Sequence, residues 1–541
     1  MKNYVLTLLM SSALAFLPGA CARAPLPAAG AASQTAGFGS VNFPISCAPQ
    51  VQEAFNQGIA MLDSFQYEQS AKTFAGIAKQ DPHCAMAYWG EAMSLYHQLW
   101  DWPNATTLKE GRQLIQKAQQ IGTQSGRERA YINAATAYYQ DNPKLDDEAR
   151  AVAYSRALAG LHARYPQDGD GAAFYALSLI AQRTPDKAQE MAHRKQAIAI
   201  LDKLFVEEPN NPGVAHYLIH AADTPALAPQ GLNAARRYAK IAPGSAHALH
   251  MPSHIFTDLG LWQESIASNI ASAAAAEHAT TSGEYNASGH QFHAMTFLEY
   301  AYLESGQDAN ARRVIADLQE VPGTKPNVIA DDQALFTAEY ATETHNWKQA
   351  AGLAFAPGLY AEEKEQIDLA RVIGAARSGD VSGARQDLQQ LMKAQAAMTG
   401  GKHGKYSKPT GESMDQLMAE SWVDYAAGNS AEALSKMEAA AKMEDDEAWK
   451  DGQAAVQIPA REMLGDLLVE LHQPAKALPE YEAVLKQSPN RFDALDGAAQ
   501  AAQLAGNTET AHHYYTELVK ICGPHADRPE LQQAREQLAE K

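Results

Sequence analysis

Two histidine pairs of identical internal spacing, His216-Tyr-Leu-Ile-His220 and His250-Met-Pro-Ser-His254, stand 34 residues apart, and Pro209 and Pro243 keep the same interval. A period of that length is the length of a helix-turn-helix unit, which cannot bury its apolar face alone and must stack on its neighbours. The chain is thereby restricted to an array of helical hairpins. Residues four apart share one face of a helix. Equivalent places in successive units therefore bring four imidazoles to one patch.

The same period recurs at both ends of the chain. Gly58, Phe74 and Pro82 have the spacings of Gly465, Tyr481 and Pro489, and Ala499 and Tyr515 follow Gly465 and Tyr481 at the 34-residue interval. A small residue marks where two helices touch, an aromatic fills the second helix, and proline ends it. Turn signals at Leu259-Gly260-Leu261, Ser305-Gly306-Gln307, His345-Asn346, Ser378-Gly379-Asp380 and Ala427-Gly428-Asn429 each separate two helical stretches. This pattern resembles the tetratricopeptide repeat family. The resemblance implies an all-α, tetratricopeptide-type helical-hairpin superhelix (an α-solenoid) with a concave groove. Matching the period gives about twelve hairpins between Cys47 and Cys522. Cys84-Ala-Met-Ala-Tyr-Trp-Gly90 and His250-Met-Pro-Ser-His-Ile-Phe256 also resemble signatures of exported bacterial tetratricopeptide proteins, a group that implies no particular activity.

The chain divides into a signal peptide over 1–22, a flexible tether over 23–46, an N-terminal array over 47–398, a loop over 399–413 and a C-terminal array over 414–541. Lys2 followed by the apolar run Tyr4 to Phe16 reads as an export signal. Leu17-Pro-Gly-Ala-Cys21 resembles a lipoprotein signal that would lipidate Cys21, although Pro18 stands where leucine is usual; Ala20-Cys21-Ala22 also fits ordinary secretory cleavage. The expected location is the periplasm or an outer-membrane lipoprotein, alternatively secreted, with membrane contact only through a lipid on Cys21. The formal charge of −19 argues against nucleic acid as a partner. Export permits a disulfide. Cys47 precedes the first hairpin and Cys84 ends it, so the two ends are neighbours and a Cys47–Cys84 bridge is expected, with Cys522 left over.

The histidines are the pointed feature. Eight of the eighteen lie between 216 and 293, a crowding that needs a cause. The repeat resemblance puts His216, His220, His247, His250, His254, His293, Asp223 and Tyr300 on groove-lining positions. Imidazoles at i and i+4 suit a transition metal such as zinc or copper. His216, His220, His250 and His254 are the leading ligands; His247, His293 and Asp223 are further candidates, and Tyr300 is a groove-binding candidate. Neither pair reads His-Glu-x-x-His, so a zinc-protease base is missing. The same rings could bind a peptide without metal or serve packing alone. No nucleophile motif and no dinucleotide fingerprint is present. The favoured function is a binding scaffold for a protein or peptide partner or a metal-containing ligand. The alternative is a metal-dependent enzyme on the same histidines.

Overall fold

The computed structural model describes residues 33–34, 37–99, 102–182, 184, 186–356, 358–398, 413–447, 458–523 and 525–539. The expected signal peptide with Cys21, the start of the tether and residues 399–412 of the loop lie outside them. The described chain is an all-α solenoid. Twelve helical hairpins follow one another, from Gln52–Asp63 with Tyr67–Gln80 to Phe492–Leu504 with Thr508–Ile521, and the helix Pro529–Ala539 packs on the last. Among the described residues the strands are Ser33–Gln34 and Ser40–Val41, paired antiparallel. No described helix is long and apolar enough to cross a membrane.

Eight of the twelve hairpins share one turn. Phe65, Gly260, Gly306, His345, Gly379, Gly428, His472 and Gly506 each sit between two helices in the left-handed region, with φ from 51° for His345 to 86° for Gly428. The following N–H turns back to an orphan carbonyl of the first helix: Gln66 to Met61 at 2.8 Å, Leu261 to Phe256 at 2.7 Å and Gln307 to Tyr302 at 2.8 Å. That bond closes the helix end and sets the angle of the next helix.

Successive hairpins lock through aromatic rings in glycine gaps. A Cβ on Gly58 would meet the Phe74 ring at 2.8 Å, and one on Gly90 of the next hairpin at 2.5 Å. Tyr481 fills the matching gap between Gly465 and Gly497. The pattern of small residue and aromatic in the sequence is thus half of a contact whose other half belongs to the following unit.

The superhelix closes on itself twice. The turn of the first hairpin meets the fifth and sixth: Tyr217 Oη donates to Asp63 Oδ1 at 2.9 Å and Gln66 Nε2 to Ser245 Oγ at 2.9 Å. Further along, Trp262 Nε1 donates to the Asn490 carbonyl at 2.8 Å, and Arg491 reaches Glu304 and Glu343. Cys47 and Cys84 are joined by a disulfide.

The expected tether needs correction over 37–46. Val41 and Phe43 are fully buried, Ser40 N donates to the Asn210 carbonyl at 2.9 Å, and Gly244 N donates to the Gly37 carbonyl at 2.8 Å. The Arg127 guanidinium lies 4.1 Å from the Phe43 ring centroid. Apolar side chains at alternate positions anchor this segment, a signal overshadowed by the Ala, Gly and Pro content before it.

Candidate metal centre

The imidazoles are presented by three consecutive first helices. Asn211 caps the first, Pro212–Ala222, accepting from Gly213 N at 3.0 Å and Val214 N at 3.3 Å, with Pro212 opening it. Ser245 caps the second. It is broken at Met251, because Pro252 cannot donate to the helix ladder, into Ala246–His250 and Pro252–Asp258. The third is Ser288–Glu304.

The four leading histidines do not form one ligand set. The structure divides them between two triads, each made of an i, i+4 pair and a third ring from the next hairpin. In one, single ring nitrogens of His216, His220 and His247 all lie within 4.8 Å of one another; in the other, those of His250, His254 and His293 do. The triads adjoin: His220 and His254, like His247 and His250, have ring centroids 6.4 Å apart. His290 stands beside them, 5.8 Å from His247. A repeat period relates one pair to the other but does not reveal that each pair turns to the following unit for its third ring.

His216 is positioned from far away in the chain. Its Nδ1 lies 2.6 Å from the Asp63 carbonyl oxygen. A carbonyl only accepts, so the ring proton is on Nδ1 and Nε2 offers its lone pair. That Nε2 is 3.0 Å from His247 Nε2. Two nitrogens bound tetrahedrally to one zinc ion stand about 3.3 Å apart, so the spacing suits ligation as well as a direct hydrogen bond. Phe65 lies over this triad, 4.3 Å from His216 and 5.6 Å from both His220 and His247, centroid to centroid.

In the second triad, His250 Nδ1 is 2.7 Å from Asn269 Oδ1, and His254 Nδ1 is 2.9 Å from Asp223 Oδ2. Asp223 therefore orients a ring through its outer nitrogen, as carboxylates behind metal-bound histidines do. Phe297 packs against all three rings. Sequence reading missed Asp63, Phe65, Asn269 and Phe297, none of which belongs to the histidine motif. Tyr300 does not join the nest. It is buried, edge-on to Trp262, with Arg491 Nη1 donating to its hydroxyl at 3.2 Å. The superhelix is filled there by the C-terminal hairpins.

Burial holds His216, His220, His247, His250 and His293 in the neutral form. Burial, and then the charge of neighbouring rings, keeps His220, His247 and His250 well below the usual imidazole range. Burial pushes His216 down to about 3 against the opposing pull of the Asp63 carbonyl. Burial, and then the charge of His254 and His290, pushes His293 down to about 3. Neutral imidazole is the form that ligates a metal. His220, His254 and His290 are only partly buried, so the nest has an accessible side.

No protein-family model matches the sequence, and no curated protein matches it. Among solved structures, a human IFIT1 dimer with m7Gppp-AAAA is 12% identical, with a TM-score of 0.34 over 81% of this chain and 90% of that one. A human IFIT1 dimer with PPP-AAAA is 12% identical, with a TM-score of 0.33 over 77% and 87%. Likeness at this level assigns neither a ligand nor an activity.

Proposed function

We propose that this chain is an exported tetratricopeptide-type scaffold that holds a transition metal ion, zinc or copper, on His216, His220 and His247. One observation carries the reading. Three neutral imidazoles converge in a buried nest, and the ring deepest in it is turned by a backbone carbonyl so that Nε2 faces its neighbour. The chemistry of the donor set fits zinc or copper, which accept imidazole nitrogen, and not magnesium or calcium, which need oxygen. Three protein ligands leave a position for a fourth group. The apolar run before Cys21 and the Cys47–Cys84 disulfide support export.

The test is metal analysis of the protein purified from its native compartment without an affinity tag, followed by loading with zinc or copper. Wild type should hold metal stoichiometrically. His216→Ala with His247→Ala should lose the ion of this triad and its contribution to the melting temperature, with circular dichroism showing the helices intact. A wild-type protein that takes up neither ion would overturn the reading, leaving the metal-free peptide groove as the use of this patch.

A further inference from the structure

The second triad presents a tautomer problem that the first does not. Asn269 Nδ2 donates to the Ser265 carbonyl at 2.9 Å, which fixes the carboxamide with Oδ1 toward His250. His250 Nδ1, 2.7 Å from that oxygen, must then carry the ring proton. His254 donates from its own Nδ1 to Asp223 Oδ2. In neutral rings both Nε2 atoms are therefore bare, and they face each other at 3.0 Å. Two lone pairs at that distance repel, and only a positive charge between them turns the contact favourable.

A proton or a metal ion can supply that charge. A proton on His254 would join two nitrogens and give His293 nothing to do. A metal ion uses all three, since His293 brings its nitrogen within 4.8 Å of the other two. The surroundings repeat those of the first triad. One phenyl ring backs the set, with Phe297 centroids 4.8, 4.6 and 5.3 Å from His250, His254 and His293. The outer nitrogens of the i, i+4 pair are held by acceptors from outside their own helices, Asn269 on Trp262–Ser282 and Asp223 just past the end of Pro212–Ala222.

We infer that His250, His254 and His293 hold a second transition metal ion, making the nest a two-metal centre with three imidazoles to each ion. The inference rests on the metal reading of the first triad and goes beyond it in number and in chemistry. Six neutral ligands leave the charge of both ions uncompensated. Asp223, behind His254, is the carboxylate nearest to balancing it. The small ligand suited to the shared accessible side is therefore an anion, with hydroxide the simplest member of the class. Two adjacent metals that can share an anion are a known means of activating water or clamping a substrate oxygen.

The experiment loads the full mature chain with zinc ions and, separately, copper(II) ions, then counts bound metal after desalting. Wild type should bind two ions per chain. His250→Ala with His293→Ala should bind one, as should His216→Ala with His247→Ala, and the fourfold variant none. Copper-loaded wild type should show a paramagnetic signal weakened by coupling between the ions, and each double variant should recover a full single-ion signal. Asp223→Asn keeps every ligand and guards against misfolding of the alanine variants; it should weaken the second ion about 10- to 100-fold and leave the first unchanged. One ion in wild type that survives His250→Ala with His293→Ala would overturn the two-metal centre while leaving the first site standing. No ion in wild type would overturn both. An unchanged second affinity in Asp223→Asn would also count against the inference.

Discussion

Phe65 occupies the left-handed centre of its turn at φ 55°, the place that Gly260, Gly306, Gly379, Gly428 and Gly506 take in other hairpins. A side chain there costs about 1–2 kcal/mol that glycine avoids. The ring is nevertheless 4% exposed and lies across His216, His220 and His247. Backbone strain is thus sustained where a ring covers the nest. Removing the ring should cost about 3–5 kcal/mol, as large aromatic truncations do. Its replacement should follow an unusual order: Phe65→Gly should be more stable than Phe65→Ala by about 1 kcal/mol in urea unfolding, reversing the ordinary preference for alanine. An alanine variant that is equal or better would mean the turn is not strained. The histidines themselves were legible because their spacing is local. Phe65 was not, since a turn in the first hairpin comes to face a helix some 150 residues later only through the closure of the superhelix, as the 153-residue separation of Asp63 and His216 records.

At the scale of helices, the aromatic in its glycine gap is the joint of the array. The Tyr481 ring lies between Gly465 and Gly497, so a methyl group on either glycine would overlap it. Its hydroxyl donates to Asp466 Oδ1 at 2.7 Å, which stops the ring from swinging away. Gly497→Ala should therefore destabilise the protein by about 1–3 kcal/mol through overpacking. Adding Tyr481→Leu should recover part of that loss, so that the double variant is less destabilised than the sum of the two singles. Simple additivity in thermal or urea unfolding would show that the ring is not what the methyl group meets. Gly465 and Tyr481 were readable as a pair because their spacing repeats that of Gly58 and Phe74. Gly497 was not singled out, because the repeat pattern describes contacts within a unit more plainly than contacts between units. For the same reason the buried Val41 and Phe43 passed as tether: two side chains without a repeat partner give no periodic signal, yet both are fully buried.

Over the whole molecule, a period specifies how each hairpin meets the next but says little of where distant turns of the superhelix meet. Arg491 makes the second of these meetings. It is 1% exposed, and it donates to Glu462 in its neighbouring hairpin and to Glu304 and Glu343 far back in the chain. Glu304 also accepts from the Phe492 N–H, tying the start of that helix to the same knot. One guanidinium thus serves three buried carboxyl groups, and its fork geometry is not reproduced by lysine. Arg491→Met should cost about 3–5 kcal/mol by leaving buried acids without a cation. Hydrogen exchange should then rise in helices 492–504 and 508–521 before it rises in the histidine nest. The knot should also respond to pH. Burial pushes Glu462 up to about 8, against the lowering pull of Arg491, well above its ordinary 4.5. A carboxyl whose folded value is raised stabilises the fold when protonated, and that contribution is lost as pH rises through the folded value. Stability should therefore fall from about pH 5 to pH 8, between the unfolded and folded values, and Glu462→Gln should fall less over the same window, while both share the general repulsion of a chain with charge −19. Parallel curves for the two proteins would mean that Glu462 is ionised throughout and that the closure is held by Arg491 and three full charges.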